Sequence, residues 1–167
     1  MKQIIEDLWL IHGNQSYCDL SNKDVWSIIK EAAIDNHLST ALFSYELSNT
    51  EMITKLLSHI TGIPISKIQE GRLKQAEVNS ISEAVNALTH TSLYITDAQS
   101  LLFSELKDTI QTMVQEHGVK IFIIDMRVVK SFDLEALDNF AEELDILLIC
   151  IYKQTKKNGK YGKAKRI

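Results

Sequence analysis

The chain has 167 residues, 45% of them hydrophobic and 24% charged, with 6 Gly and 1 Pro. That suits one globular domain with a sizeable core and excludes a collagenous or Pro/Gly-rich disordered chain. The net charge of -4 conceals an asymmetry: residues 153–167 hold seven bases and no acid, so residues 1–152 carry 11 bases against 22 acids, or -11. An acidic body excludes a nucleic-acid surface over the whole protein and leaves a basic tail that could be one, or could simply be a solvated terminus. The apolar runs 121–124 and 146–151 fall far below the roughly 18–20 residues of a membrane helix. Glu6 and Asp7 stand where a signal peptide has its apolar stretch, and Cys18 and Cys150 form no CxxC unit. A cytoplasmic protein with no membrane partner is expected.

In chain order, residues 8–12 read as a strand. The spacing of Val25, Trp26, Ile28, Ile29, Ala32 and Ala33 predicts a helix over 22–36 that packs on a sheet. Residues 40–45 form the next strand. Ser48-Asn49-Thr50-Glu51 is a capping box opening a helix through Met52, Leu56, Leu57 and Ile60, which Gly62 and Pro64 end. A helix over 77–88, a strand over 93–96 and a helix over 105–117 closed by Gly118 follow. The strand 119–125, a helix over 134–144 and the strand 146–152 complete the pattern. Five short apolar runs alternating with helices predict an α/β fold with a mostly parallel sheet.

His37, His59, His90 and His117 each fall near a helix C-terminus, where an imidazole can bond a free carbonyl. Without an HxxxH or HxH pair, no zinc site is expected. In an open parallel sheet, ligands bind beyond the carboxyl ends of the strands. That edge receives Gly13, Glu46, Asp97, Asp125 and, after the last strand, Lys153 and Gln154. Glu46 and Asp125 are the pair to note: an acid ending an Ile-Phe-Ile-Ile-Asp strand can hold magnesium beside a phosphate, while a second acid orients water. An acid ending a strand can equally be a helix cap.

Several segments resemble, in order, the C-terminal RecA-like ATPase domain of the DnaB-type replicative DNA helicases. Phe43-Ser44-Tyr45-Glu46-Leu47-Ser48 is similar to the family's FSLEMS, and Lys67-Ile68-Gln69-Glu70-Gly71-Arg72-Leu73 to its KIRTGRL. Leu93-Tyr94-Ile95-Thr96-Asp97 is similar to LYIDD, Glu116-His117-Gly118 to EHG, and Ile123-Ile124-Asp125 to the start of the Walker B strand IDYLQL. Residues 137–151 resemble LKALAKELNVPVVALSQ. The resemblance implies a three-layer RecA-like P-loop NTPase fold over residues 1–152, about five strands with helices on both faces, followed by a basic tail over 153–167. It implies ATP and Mg as cofactors where activity is retained, Glu46 as the catalytic acid, Asp125 as the Mg-holding residue, and Gly13 and Gln154 as nucleotide-site positions.

The sequence departs from that family where phosphate is held. The family's GxxxxGKS/T loop wraps phosphates with backbone donors and a lysine. Here Gly13-Asn14-Gln15-Ser16-Tyr17-Cys18-Asp19-Leu20 keeps only Gly13, with Cys18 at the second glycine, Asp19 at the lysine and Leu20 at the hydroxyl residue. A carboxylate beside a triphosphate replaces attraction by repulsion of about 4 kcal/mol per charge pair at 4 Å and an effective dielectric of 20. Met126-Arg127-Val128-Val129 replaces the polar Walker B continuation. The chain therefore reads as a truncated, degenerate helicase core that acts by binding a helicase subunit, a loader or its own copies. Lys153, Lys156, Lys157, Lys160, Lys163, Lys165 and Arg166 would touch DNA phosphates nonspecifically. Two other readings stay open at this point: a working ATPase with an altered phosphate loop, and an unrelated α/β structural domain.

Overall fold

A computed structural model of the chain describes residues 17–18, 22–129 and 133–151. The elements are β1 (Tyr17–Cys18), α1 (Asn22–Ile29), a π-helical segment (Lys30–Asp35), β2 (Thr40–Ser44), α2 (Asn49–Thr61), α3 (Ile65–Glu70), α4 (Gln75–Thr89), β3 (Leu93–Asp97), α5 (Phe103–His117), β4 (Ile121–Asp125), α6 (Leu134–Glu143) and β5 (Leu147–Ile151). The strands form one sheet in the order β1-β5-β4-β2-β3, and every pairing is parallel. Four are five-residue strands; β1 adds two residues at the edge.

The three layers follow from the two-residue period of the strands. Leu42, Ile121, Ile123, Ile149 and Ile151 point to one face, where Val25, Trp26, Ile28, Ile29, Met52 and Leu56 of α1 and α2 cover them. Ala41, Phe43, Phe122, Ile124, Leu148 and Cys150 point to the other, under Leu106, Ile110 and Met113 of α5 and Leu137 and Ala141 of α6. A sheet buried on both faces needs continuous apolar strands, which is why β4 reads Ile-Phe-Ile-Ile before its terminal acid. The α/β architecture with helices on both faces agrees with the sequence reading, and β2, β4 and β5 depart from it only at their ends.

Two helical segments differ. The helix expected as one piece over 22–36 widens at Lys30 into π-helical turns. Asn36 donates from its backbone N, 3.1 Å, and its side chain, 2.8 Å, to the Glu31 carbonyl five residues back. Lys30 pairs with Asp35, also five apart, a spacing that the wider turn brings together. The short α3 is the second difference: Pro64 precedes it and Gly71, at φ 67°, closes it, so its six residues carry too few apolar repeats to announce a helix.

The capping box is present as expected. Ser48 Oγ accepts from Glu51 N, and Glu51 accepts from Ser48 N at 2.9 Å. Ser48→Ala is expected to cost about 1 kcal/mol, read by urea unfolding. The Ser48 backbone N–H, then its hydroxyl, hold the Glu51 carboxyl below the usual carboxylate range. Its contribution is therefore complete above about pH 4.3 and is lost as pH falls through the lowered folded value. The stability gap between the wild type and Glu51→Ala should shrink over that acid range; a gap constant down to pH 3 would contradict the assignment.

Of the histidines, His90 bonds the Asn86 carbonyl through Nδ1 at 2.7 Å, while His117 stacks on Tyr94 of the edge strand with ring centroids 5.2 Å apart. Among the described residues no helix is long and apolar enough to cross a membrane.

Candidate functional site

The sheet order sets where a ligand crevice can open. From β2 the chain crosses to β3 on one side and then returns to β4 on the other, so the connections leave the carboxyl edge in opposite directions between β2 and β4. Ser44, Asp97 and Asp125 are level at that edge, with Ile151 of β5 paired to Asp125 and Cys18 of β1 paired to Ile151. The ladder continues one step further, through Tyr45 N donating to the Asp125 carbonyl at 2.9 Å and Met126 N donating to the Ile151 carbonyl at 2.9 Å.

Glu46 is set by the turn that leaves β2. The buried Ser44 hydroxyl accepts from Glu46 N at 3.2 Å and from Leu47 N at 2.9 Å. This turn leads directly into the Ser48 cap of α2, so Glu46 projects from a braced corner rather than a loose loop. Asp125 closes β4 and is 5% exposed. The two acids noted in the sequence are thus brought together across the crevice.

What joins them is Arg127. Its Nε donates to Asp125 Oδ1 at 2.7 Å and its Nη2 donates to Oδ2, a two-pronged pair, while the same Nη2 lies 3.2 Å from Glu46 Oε2. Arg127 N also donates to Asp125 Oδ1, at 3.4 Å. The three side chains are 18%, 6% and 34% exposed for Arg127, Asp125 and Glu46. Hydrogen bonding to Asp125, and then the charges of Asp125 and Glu46, hold the guanidinium protonated beyond its ordinary range against the opposing effect of burial. Beneath it Val25, Trp26, Leu42, Leu47 and Met52 line a recess of about 10 Å³, the space of roughly one water, against the 300–1,000 Å³ typical of ligand pockets.

The other candidates separate. Asp97 is exposed and accepts from Gln99 N at 3.0 Å; Arg72 is exposed and 3.3 Å from Glu70. Tyr17 and Cys18, read in the sequence as part of the phosphate loop, are strand residues in register with Cys150 and Ile151. This corrects the loop assignment, because a backbone paired along a sheet does not make the turn that wraps a phosphate. Gly13, the strand expected over 8–12, Asp19 and Leu20, Gln154 and the bases Lys153, Lys156, Lys157, Lys160, Lys163, Lys165 and Arg166 lie outside the described residues. Arg127 is the residue that sequence reasoning passed over: it was visible only as a departure from a polar motif, two positions after a strand-ending acid. Among the described residues no group of three or more His, Cys, Asp or Glu is placed to hold a metal; Glu46 and Asp125 are two.

Comparison with known proteins bears on the family and the fold. Residues 23–156 match the model of the DnaB-like helicase C terminal domain. The chain is similar to the replicative DNA helicase DnaB of Rickettsia bellii, 29% identical over 87 residues that cover 52% of this chain and 18% of that protein. It is also similar to its counterpart in Mycobacterium intracellulare, 21% identical over 126 residues, 71% of this chain and 22% of that protein. It therefore spans about a fifth of these curated relatives. Among solved structures, a DnaB-like replicative helicase described with its primase interactions superposes with a TM-score of 0.66 at 20% identity, over 84% of this chain and 38% of that one. An ATPase domain matches at the same score and identity over 56% of its own length. At such identity the superpositions speak for the fold alone, the RecA-like fold that these helicase ATPase domains share.

Proposed function

The chain belongs to the DnaB-like helicase C terminal domain family, and from that premise we propose that it is a non-catalytic core domain, a pseudoenzyme that serves DNA replication in the cytoplasm by binding rather than by hydrolysis. The observation that carries this reading is the strand at Tyr17–Cys18. The position matched to a phosphate-loop glycine is sheet backbone, and no GKS/T occurs anywhere in the chain. Asp19 follows immediately, and residues 13–22 include no lysine or arginine to neutralise a phosphate. The residues that would meet ATP and Mg in an active relative are Glu46, Asp125, Gly13 and Gln154, retained in part and without the loop that anchors the phosphates.

The test is calorimetry with ATP and Mg on the purified chain, alongside its melting curve. At millimolar ATP and Mg no binding heat is expected and the melting temperature should stay constant, because a ligand bound to the native state must raise stability by mass action. Magnesium-dependent hydrolysis that is lost in Glu46→Gln would overturn the reading and restore an ATPase with an altered loop.

The partner class that fits is a helicase subunit, a helicase loader or a second copy of the chain; the primase described with the structural neighbour adds a fourth candidate. DNA contact through Lys153, Lys156, Lys157, Lys160, Lys163, Lys165 and Arg166 would be nonspecific and electrostatic. Seven charges on duplex DNA give a slope of log affinity against log salt no steeper than about -6. Deleting residues 153–167 should abolish both the affinity and the slope. DNA binding unchanged in the truncated chain would remove the tail from the interface.

A further inference from the structure

We propose that Arg127 is a tethered cation lodged between Glu46 and Asp125, so that the chain closes its own acidic site to divalent ions. The inference rests on reading Glu46 and Asp125 as an inherited acidic pair, and it goes beyond loss of the phosphate loop, because it assigns a role to a residue that the loop does not involve.

The geometry is that of an ion between ligands. One Nη2 atom faces oxygens of both carboxylates, donating to Asp125 Oδ2 while 3.2 Å from Glu46 Oε2, and Nε takes the remaining Asp125 oxygen at 2.7 Å. Hard divalent cations take carboxylate oxygens and water, and magnesium is commonly held by only one or two carboxylates. A planar guanidinium with five donors satisfies the same oxygens without needing water. Asp125, with both oxygens engaged, cannot turn to another cation without giving up this pairing, and the tether makes the competitor permanently present. Charge decides the outcome: with Arg127 in place the trio sums to -1, whereas without it two carboxylates face one crevice at -2 with nothing between them. The Ser44 hydroxyl fixes the backbone of the Glu46 corner, and β4 fixes Asp125. The backbone that carries both acids is therefore held independently of the guanidinium.

The test compares the full chain with Arg127→Met, Arg127→Lys and the double variant Arg127→Met, Glu46→Gln, using Mn2+ and Mg2+ without nucleotide. Thermal melting and calorimetry are the readouts. Arg127→Met should bind one Mn2+, and its melting temperature should rise by about 3–6 °C at ten times the dissociation constant. The double variant should lose that response. Wild type should show none, and Arg127→Lys, which keeps a charge at the end of a tether, should stay unresponsive. A wild type that binds Mn2+ as well as Arg127→Met, or an Arg127→Met without any metal response, overturns the proposal. Should Arg127→Met fail to fold in chelator, its recovery on refolding with Mn2+ supports the proposal, and a failure to recover counts against it. These outcomes are independent of the nucleotide result: ATP binding by the wild type would remove the non-catalytic reading, and a metal-silent Arg127→Met would remove only this one.

Discussion

Phe122→Ala is expected to lower stability by about 3–5 kcal/mol, the range for emptying a buried aromatic site. Phe122 is fully buried in the middle of β4, and its ring lies 6.5 Å from that of Phe43 at an interplanar angle of 18°. Its register partners are Ala41 on β2 and Leu148 on β5. Ala41 cannot lean in to fill the space, and Leu148 is held by its own strand, so most of the cavity should persist. Because a domain of this size has about 5–15 kcal/mol in all, the loss is a large part of the total. It corresponds to a fall in melting temperature of roughly 6–20 °C. Urea unfolding monitored by circular dichroism would measure it. Phe122→Leu should cost much less, since it keeps most of the apolar volume. A loss under about 1 kcal/mol for Phe122→Ala would mean that α5 and α6 close onto the sheet, contrary to the packing described.

The same double-sided burial explains why the fold was legible. Strands packed on both faces must be apolar throughout, so β2, β4 and β5 stand out as runs bounded by polar residues. Gly62 at φ 71° and Gly118 at φ 61° mark the ends of α2 and α5, a backbone state that only glycine adopts without strain. The π-helical turn after Ile29 was not legible, because Ala32 and Ala33 suit either pitch and the five-residue partners Lys30 and Asp35 resemble an ordinary exposed pair.

The site was half legible for a different reason. Glu46 and Asp125 sit where backbone topology alone delivers them, at the ends of neighbouring strands. Arg127 is delivered by its side chain, which folds back over two residues to meet Asp125 and then reaches across to Glu46. Spacing along a chain does not record such a return. The signal that could have flagged it was charge: an arginine placed among apolar residues, beside the only acid in the stretch 119–132, needs a partner when it is buried.

Asp125→Ala carries the second large effect. Removing one member of a buried ion pair strands the other, at a cost of about 3–5 kcal/mol when both are fully desolvated. Asp125 is 6% exposed, but Arg127 keeps 18% and Glu46 34%, so water and Glu46 can take up part of the guanidinium's need. The expected loss is therefore near the lower limit, about 2–3 kcal/mol. Most of it should be the stranded cation rather than the missing carboxylate, and a double-mutant cycle separates the two. In an Arg127→Met background Asp125→Ala removes a like-charge neighbour of Glu46 instead of a partner of Arg127, so its cost should fall to near zero or change sign. The coupling energy should then exceed about 1.5 kcal/mol, where unconnected sites add within about 0.5 kcal/mol. Unfolding of the four proteins in urea at low and high salt completes the measurement. A coupling that survives high salt belongs to a desolvated, two-pronged contact, whereas one that vanishes would reduce Arg127 to a screened surface charge.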